Sequence, residues 1–213
     1  MKNRIKRHST IELLEHWSIA ISGIVLLFTG LGCLPLYKRY YITDLPGFGW
    51  TADFYNVTVV HYIASIVFLS AVIFHIVYHG LKGDFSLLPK KGDISKSIKV
   101  LAAMIGLGKE PPSEKYLPEQ RIAYVGIGFV IILLTVTGVI KVLKNLEWIV
   151  LSPSFESINT LIHTLSSFIF MLAVIVHVGT VVLFKSNWPL LKSMFTGYVD
   201  EDYVKHRHSL WHE

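Results

Sequence analysis

Four apolar blocks, at about 13–36, 57–81, 122–143 and 159–184, divide this 213-residue chain. Each is long enough to cross about 30 Å of hydrocarbon at about 1.5 Å per helical residue. Hydrocarbon offers no hydrogen bonds to an open backbone, so such blocks must be helical. The chain is therefore expected to be an all-α membrane protein, a four-transmembrane-helix bundle in which residues 1–213 form a single domain. A hydrophobic fraction of 52% against 16% charged residues agrees. The first block reads as a span and not as a cleavable leader, because Glu12, Glu15 and His16 interrupt its start.

The twenty Lys and Arg residues orient the bundle. Four lie in the N-terminal tail, eight in the 82–121 loop and four from Lys185 onward, against two in each of the other loops. This asymmetry predicts cytoplasmic N- and C-termini in an inner (cytoplasmic) membrane. The net charge of +5 is accordingly a membrane-orientation signature, and no nucleic-acid partner is expected. The Tyr- and Trp-rich loop 37–56 reads as an interfacial belt. In the loop 82–121, ISKSIKVLAAMIGLG has the pattern of an amphipathic helix at the membrane surface, capping the bundle, before KEPPSEKYLPEQR breaks it. Ser9 or Thr10 suits the N-cap of the first helix, where Gly23, Gly30 and Gly32 allow close approach of a helix or a flat macrocycle.

Ten histidines are present, and six lie in or beside the spans: His16, His61, His75, His79, His163 and His177. Ionisable side chains are costly in hydrocarbon, so a cluster of them marks a function. His163 and His177 are fourteen residues apart on the fourth span. That separation advances a helix by about 21 Å and brings it about 40° short of four full turns, so both rings face one way near opposite membrane surfaces. This is the spacing for two haems stacked across a bilayer. Cys33 is alone, which excludes a CxxCH attachment and iron–sulfur ligation, so any haem must be b-type and held by histidine.

Depth sorts the ligands. His61 and His163 each follow shortly after an Asn, Asn56 and Asn159, near the outer start of spans that run in the same direction. They form the expected outer pair. His177 has two candidate partners: His16, about one turn into helix one from the inner side, and His75, fourteen residues after His61. Spacing alone slightly favours His75.

The segments LLEHWSIAISGIVLLFTGL, VVHYIASIVFL, KYLPEQRIAYVG leading into LLTVTGVI, LIH with His177 fourteen residues on, and WPLLKSMFTG together resemble the cytochrome b (gamma) subunit of respiratory formate dehydrogenases. The resemblance covers nearly the whole chain, and related cytochromes serve hydrogenases and thiosulfate or polysulfide reductases. It implies two b haems as cofactors, the inner one held by His16 and His177, and the outer one by His61 and His163. His75 and His79 have no counterpart in the pattern, and packing or hydrogen bonding is their expected role. The resemblance further implies a menaquinone or ubiquinone near the start of helix three, where Gln120 and Arg121, with Glu119, offer hydrogen bonds; the family has an Asn where this chain has Leu117.

No nucleotide loop, nucleophile elbow or other catalytic constellation is present. The expected role is that of a membrane-anchor electron-transfer subunit of a quinone-reducing oxidoreductase, serving an iron–sulfur subunit and a catalytic subunit of formate dehydrogenase type. Electrons would enter outside and reach quinone inside. The alternatives are the same conduit attached to a nickel–iron hydrogenase or a thiosulfate or polysulfide reductase, and, more distantly, a transporter with a histidine proton or metal relay.

Overall fold

The computed structural model describes residues 3–34 and 41–211. Four helices are long and apolar enough to cross a membrane: α1 (Thr10–Gly32), α2 (Phe54–Lys82), α4 (Pro118–Asn145) and α5 (Pro153–Leu183). All four expected blocks are thus helical. The expected first span ran to residue 36, whereas α1 ends at Gly32; residues 35 and 36, and the start of the aromatic loop, lie outside the described residues.

The spans are inside-out by the standard of a water-soluble protein. Most of their buried positions are small or polar, including Ser22, Gly23, Thr29, Thr137, Asn159 and Ser166, with Phe68 and Phe170 as large exceptions, while Leu14, Ile66 and Leu172 are each more than 60% exposed. Lipid solvates the large side chains as well as a protein core would, so helix contacts are left to residues that pack closely or hydrogen-bond. This distribution makes the chain a multi-pass membrane protein.

The chain divides into two compact units, residues 11–82 and residues 1–10 with 83–213. The first consists of α1 and α2 with their connection. Glu12 meets Lys82, Thr29 meets His61 and Gly32 meets Val57, a ladder that makes the two helices antiparallel. A Cβ on Gly32 would stand 3.1 Å from Val57 Cγ1, so glycine permits the approach. Asp53 starts α2 by accepting from the Tyr55 N–H at 2.8 Å. The aromatic connection folds back on α1, with Phe28 edge-on to Phe48 at 5.6 Å.

In the second unit, α4 and α5 pair antiparallel through contacts of Thr137 with His163, Lys141 with Thr160 and Lys144 with Glu156. Pro118 and Pro153 occupy the first turns, where a missing N–H costs nothing, and Ser152 Oγ caps α5 by accepting from Phe155 N–H at 3.3 Å. Helix α3 (Asp93–Met104) is the expected amphipathic segment, one residue earlier in its start and shorter in its end. It buries Asp93, Ser97 and Val100 while exposing Ile94, Ile98 and Leu101, so its packed face is partly polar and its apolar stripe faces outward. That arrangement fits a helix lying on a bilayer surface.

The tails are more ordered than their polar sequence suggests. Beyond α5, α6 (Trp188–Thr196) ends at Gly197, whose φ of 79° is open to glycine at low cost. Strand β2 (Tyr198–Asp200) then pairs antiparallel with β1 (Arg4–Lys6), with Ile5 opposite Val199, before α7 (Glu201–Arg207). Both tails therefore meet in this two-stranded sheet. Arg7 lies between the Tyr116 and Trp211 rings, 5.5 and 5.6 Å from their centroids, and donates to the Lys115 carbonyl at 2.6 Å. Arg207 donates to Glu110 Oε1 at 2.7 Å and Asn187 Oδ1 at 2.6 Å.

His208 is fully buried in this assembly, and its Nδ1–H donates to the Glu114 carbonyl at 2.6 Å. Burial, reinforced by Arg7 and Arg207, pushes its pKa down to about 4. An unfolded tail therefore binds more protons than the folded one between the ordinary histidine value of about 6.5 and the folded value. Stability from this group is present above about pH 6.5 and is lost as pH falls toward 4, by about 3 kcal/mol in total. Thermal unfolding of the detergent-solubilised chain across this range is expected to show the loss, and His208→Gln to flatten the slope.

Candidate functional site

His61 and His163 share one local design. In the first unit, Thr29 Oγ1 lies 2.7 Å from the Val25 carbonyl and 2.8 Å from His61 Nδ1. In the second, Thr137 Oγ1 lies 2.6 Å from the Leu133 carbonyl and 2.8 Å from His163 Nδ1. A hydroxyl has one proton, and the carbonyl four residues back takes it. The oxygen must then accept from Nδ1–H. Each neutral imidazole is thereby held as the tautomer whose Nε2 carries the free lone pair, which is how proteins orient a metal-ligating histidine.

Next to each threonine stands a glycine that clears the ring. A Cβ on Gly30 would lie 3.6 Å from His61 Cε1, and one on Gly138 3.4 Å from His163 Cε1. Asn159, buried, donates to the Thr137 carbonyl at 3.0 Å and ties α5 to α4 at this level. The donor chemistry of both rings fits a b-haem iron, which takes neutral imidazole nitrogen.

The other histidines differ. His16 sits edge-on to Trp17 at 5.6 Å, half-buried, and His177 is exposed on α5 in the isolated chain. His75 faces Glu15, its Nδ1 2.5 Å from Oε1, and His79 Nε2 lies 3.4 Å from Oε2 of the same carboxylate. Both rings thus face one buried acid on α1.

At the start of α4, Arg121 is buried and forks onto Asp93, with Nε donating to Oδ2 at 2.7 Å and Nη2 to Oδ1 at 2.9 Å. The guanidinium holds the Asp93 carboxyl below the usual carboxylate range, mainly through this hydrogen bond. Arg121 Nη1 also donates to the Tyr116 carbonyl at 3.0 Å, and Gln120 Oε1 accepts from Leu117 N–H at 3.0 Å. Both residues expected near a quinone therefore fix the shape of the 116–121 segment. Glu119 keeps one buried carboxylate oxygen, Oε2, without a hydrogen-bond partner.

A family profile described as prokaryotic cytochrome b561 matches residues 7–197, which takes in all four spans and all six of their histidines. The chain belongs to the prokaryotic cytochrome b561 family. The cytochrome b556 subunit of formate dehydrogenase from Haemophilus influenzae is 22% identical over 214 residues, covering 98% of this chain and 82% of that relative. The chain is thus a relative of formate dehydrogenase cytochrome b, a membrane cytochrome b that carries b haem and transfers electrons.

The threonines and Gly138 escaped the sequence reading, which looked for histidines and found none on α4. A signal was present in the repeated Thr-Gly pair, Thr29-Gly30 on α1 and Thr137-Gly138 on α4. Gly138→Leu is expected to displace the His163 ring and lower the b-haem absorbance of the purified chain. Gly126→Leu, at a position with nothing within 4 Å of its Cβ, is expected to leave it unchanged. Asp93→Ala, which strands a buried guanidinium, is expected to destabilise the chain by about 3–5 kcal/mol, and Asp93→Leu with Arg121→Met to recover most of that in thermal unfolding.

Proposed function

We propose that this chain is the membrane anchor of a respiratory oxidoreductase of formate dehydrogenase type, a single domain with two b haems and both termini in the cytoplasm, set in the inner membrane. It carries electrons from a partner iron–sulfur subunit, itself fed by a catalytic subunit, to the quinone pool. The matched hydroxyl–imidazole pairs, Thr29 with His61 and Thr137 with His163, carry this reading. Two separate helix pairs each prepare one ring to offer Nε2, the nitrogen with which a histidine would hold a haem iron.

His61 and His163 hold the outer haem in this reading, and His16 and His177 the inner one. Bound b haem with two imidazole ligands supplies a one-electron carrier without an open site for oxygen. The approach of Glu15 to His75 Nδ1 speaks for His16 as the partner of His177, since His75 is engaged on its own helix pair. Menaquinone or ubiquinone approaches the 116–121 segment at the cytoplasmic side. There Arg121 and Gln120 hold the backbone, and Glu119 Oε2 is the group left to exchange a proton with the quinone oxygen.

A pyridine haemochrome assay is expected to give two b haems per chain. His61→Ala or His163→Ala is expected to remove one of them, and His16→Ala or His177→Ala the other. Loss of a haem in His75→Ala with both retained in His16→Ala would overturn the inner pair. One haem in the wild-type chain would overturn the two-haem reading. Co-purification with a hydrogenase or a sulfur-compound reductase would keep the conduit and change the donor.

A further inference from the structure

Glu15, His75 and His79 lie outside the four proposed haem ligands, yet they are arranged as ligands themselves. One atom from each, a carboxylate oxygen and two ring nitrogens, can be chosen so that all three lie within 4.8 Å of one another. His75 and His79 are four residues apart on α2, the spacing that sets two imidazoles on one helix face toward a common ion. Their ring centroids are 4.6 Å apart. Glu15 completes the triangle from α1, with only 6% of its surface exposed.

The carboxylate is poorly served by protein groups. Its Oε1 is buried without a hydrogen-bond donor, although His75 Nδ1 stands 2.5 Å away, so a lone pair meets a ring nitrogen outside hydrogen-bond geometry. Lys82, at the end of α2, reaches Glu12 Oε1 at 3.5 Å and the Tyr78 ring at 5.0 Å. A metal ion shared by the buried carboxylate and the two imidazoles would meet the open lone pairs of Oε1 and of the rings together.

We propose that Glu15, His75 and His79 form a binding site for a divalent transition-metal ion, with Zn2+ the best match. Two nitrogens and one carboxylate oxygen are the ligand set of an open tetrahedral zinc site, with water in the fourth place. Ligand atoms around such an ion lie about 3.3 Å apart, given bond lengths of about 2.0–2.1 Å. The observed separation of 3.4 Å between His79 Nε2 and Glu15 Oε2 matches this, and His75 Nδ1, 2.5 Å from Oε1, would draw back from the carboxylate as the ion enters. Calcium and magnesium prefer all-oxygen sites and are disfavoured by the imidazoles. Glu15 is five residues from the start of α1 and His79 three from the end of α2, so the site lies near the helix ends, within reach of ions from water. Once bound, the ion clamps α1 to α2.

The test uses the purified, haem-loaded full chain in detergent, titrated with Zn2+ against a chromogenic chelator. One saturable site per chain is expected. His79→Gln, His75→Gln and Glu15→Gln are each expected to weaken it about tenfold or more, whereas His206→Gln, an exposed histidine on α7, leaves it unchanged. Haem content read from the same samples reports on folding and on the haem ligands separately from zinc. Pulsed EPR of the wild-type chain loaded with Cu2+ needs no substitution and is expected to count two coordinating imidazoles. Absence of a saturable site, zinc affinity unchanged in the His75→Gln, His79→Gln double variant, fewer than two imidazoles on Cu2+, or loss of a haem in His75→Gln would overturn the proposal.

Discussion

The hydroxyl of a threonine in a membrane helix has one proton to give, and in this chain its own backbone takes it. Everything specific about the outer histidines follows from that constraint. Hydrocarbon supplies no competing donor or acceptor, so the oxygen's remaining capacity must be met by another protein group. At Thr29 and at Thr137 that group is an imidazole Nδ1 on the neighbouring helix. The contact joins two helices, selects a tautomer and aims the opposite nitrogen at once. A serine or valine in its place would lack either the stiff rotamer or the acceptor.

The same economy of polar groups explains the rest of the architecture. Large apolar side chains need no protein partner in a bilayer, so helix contacts fall to Ser22, Thr137, Asn159 and Ser166. Two of the buried charges are paired in clusters near the helix ends: Asp93 with Arg121, and Arg207 with Glu110 and Asn187. Arg7, stacked between two rings, binds the N-terminal tail to the 110–116 segment and to Trp211. The Arg7 and Arg207–Glu110 contacts stitch together stretches that are more than ninety residues apart in sequence. They order these segments together with buried apolar residues such as Val100, Leu190, Val199 and Val204.

Family membership and local chemistry carry different parts of the functional account. Belonging to the cytochrome b561 family explains why a chain this apolar keeps so many histidines, since each imidazole placed in a bilayer is a cost that a metal ligand justifies. It does not distinguish one histidine from another. His61 and His163 stand apart because a hydroxyl holds each, whereas His75 and His79 turn to a carboxylate. Arg121 and Gln120 likewise hydrogen-bond to the backbone of their own segment, Arg121 while forking onto Asp93, and Glu119 keeps one buried oxygen open.

The sequence by itself determined the four spans, because length and apolarity decide membrane crossing without reference to the rest of the fold. It also excluded covalent haem attachment through CxxCH, since the chain has a single cysteine. Tertiary structure alone decided which nitrogen each outer ring presents, because that depends on hydroxyls 26 and 32 residues away. It also decided that Glu15 faces His75 and His79, and that β1 pairs with β2 across most of the chain. Hydropathy is additive along a chain and can be read locally. A hydrogen bond between helices depends on rotation and depth together, which local composition does not encode.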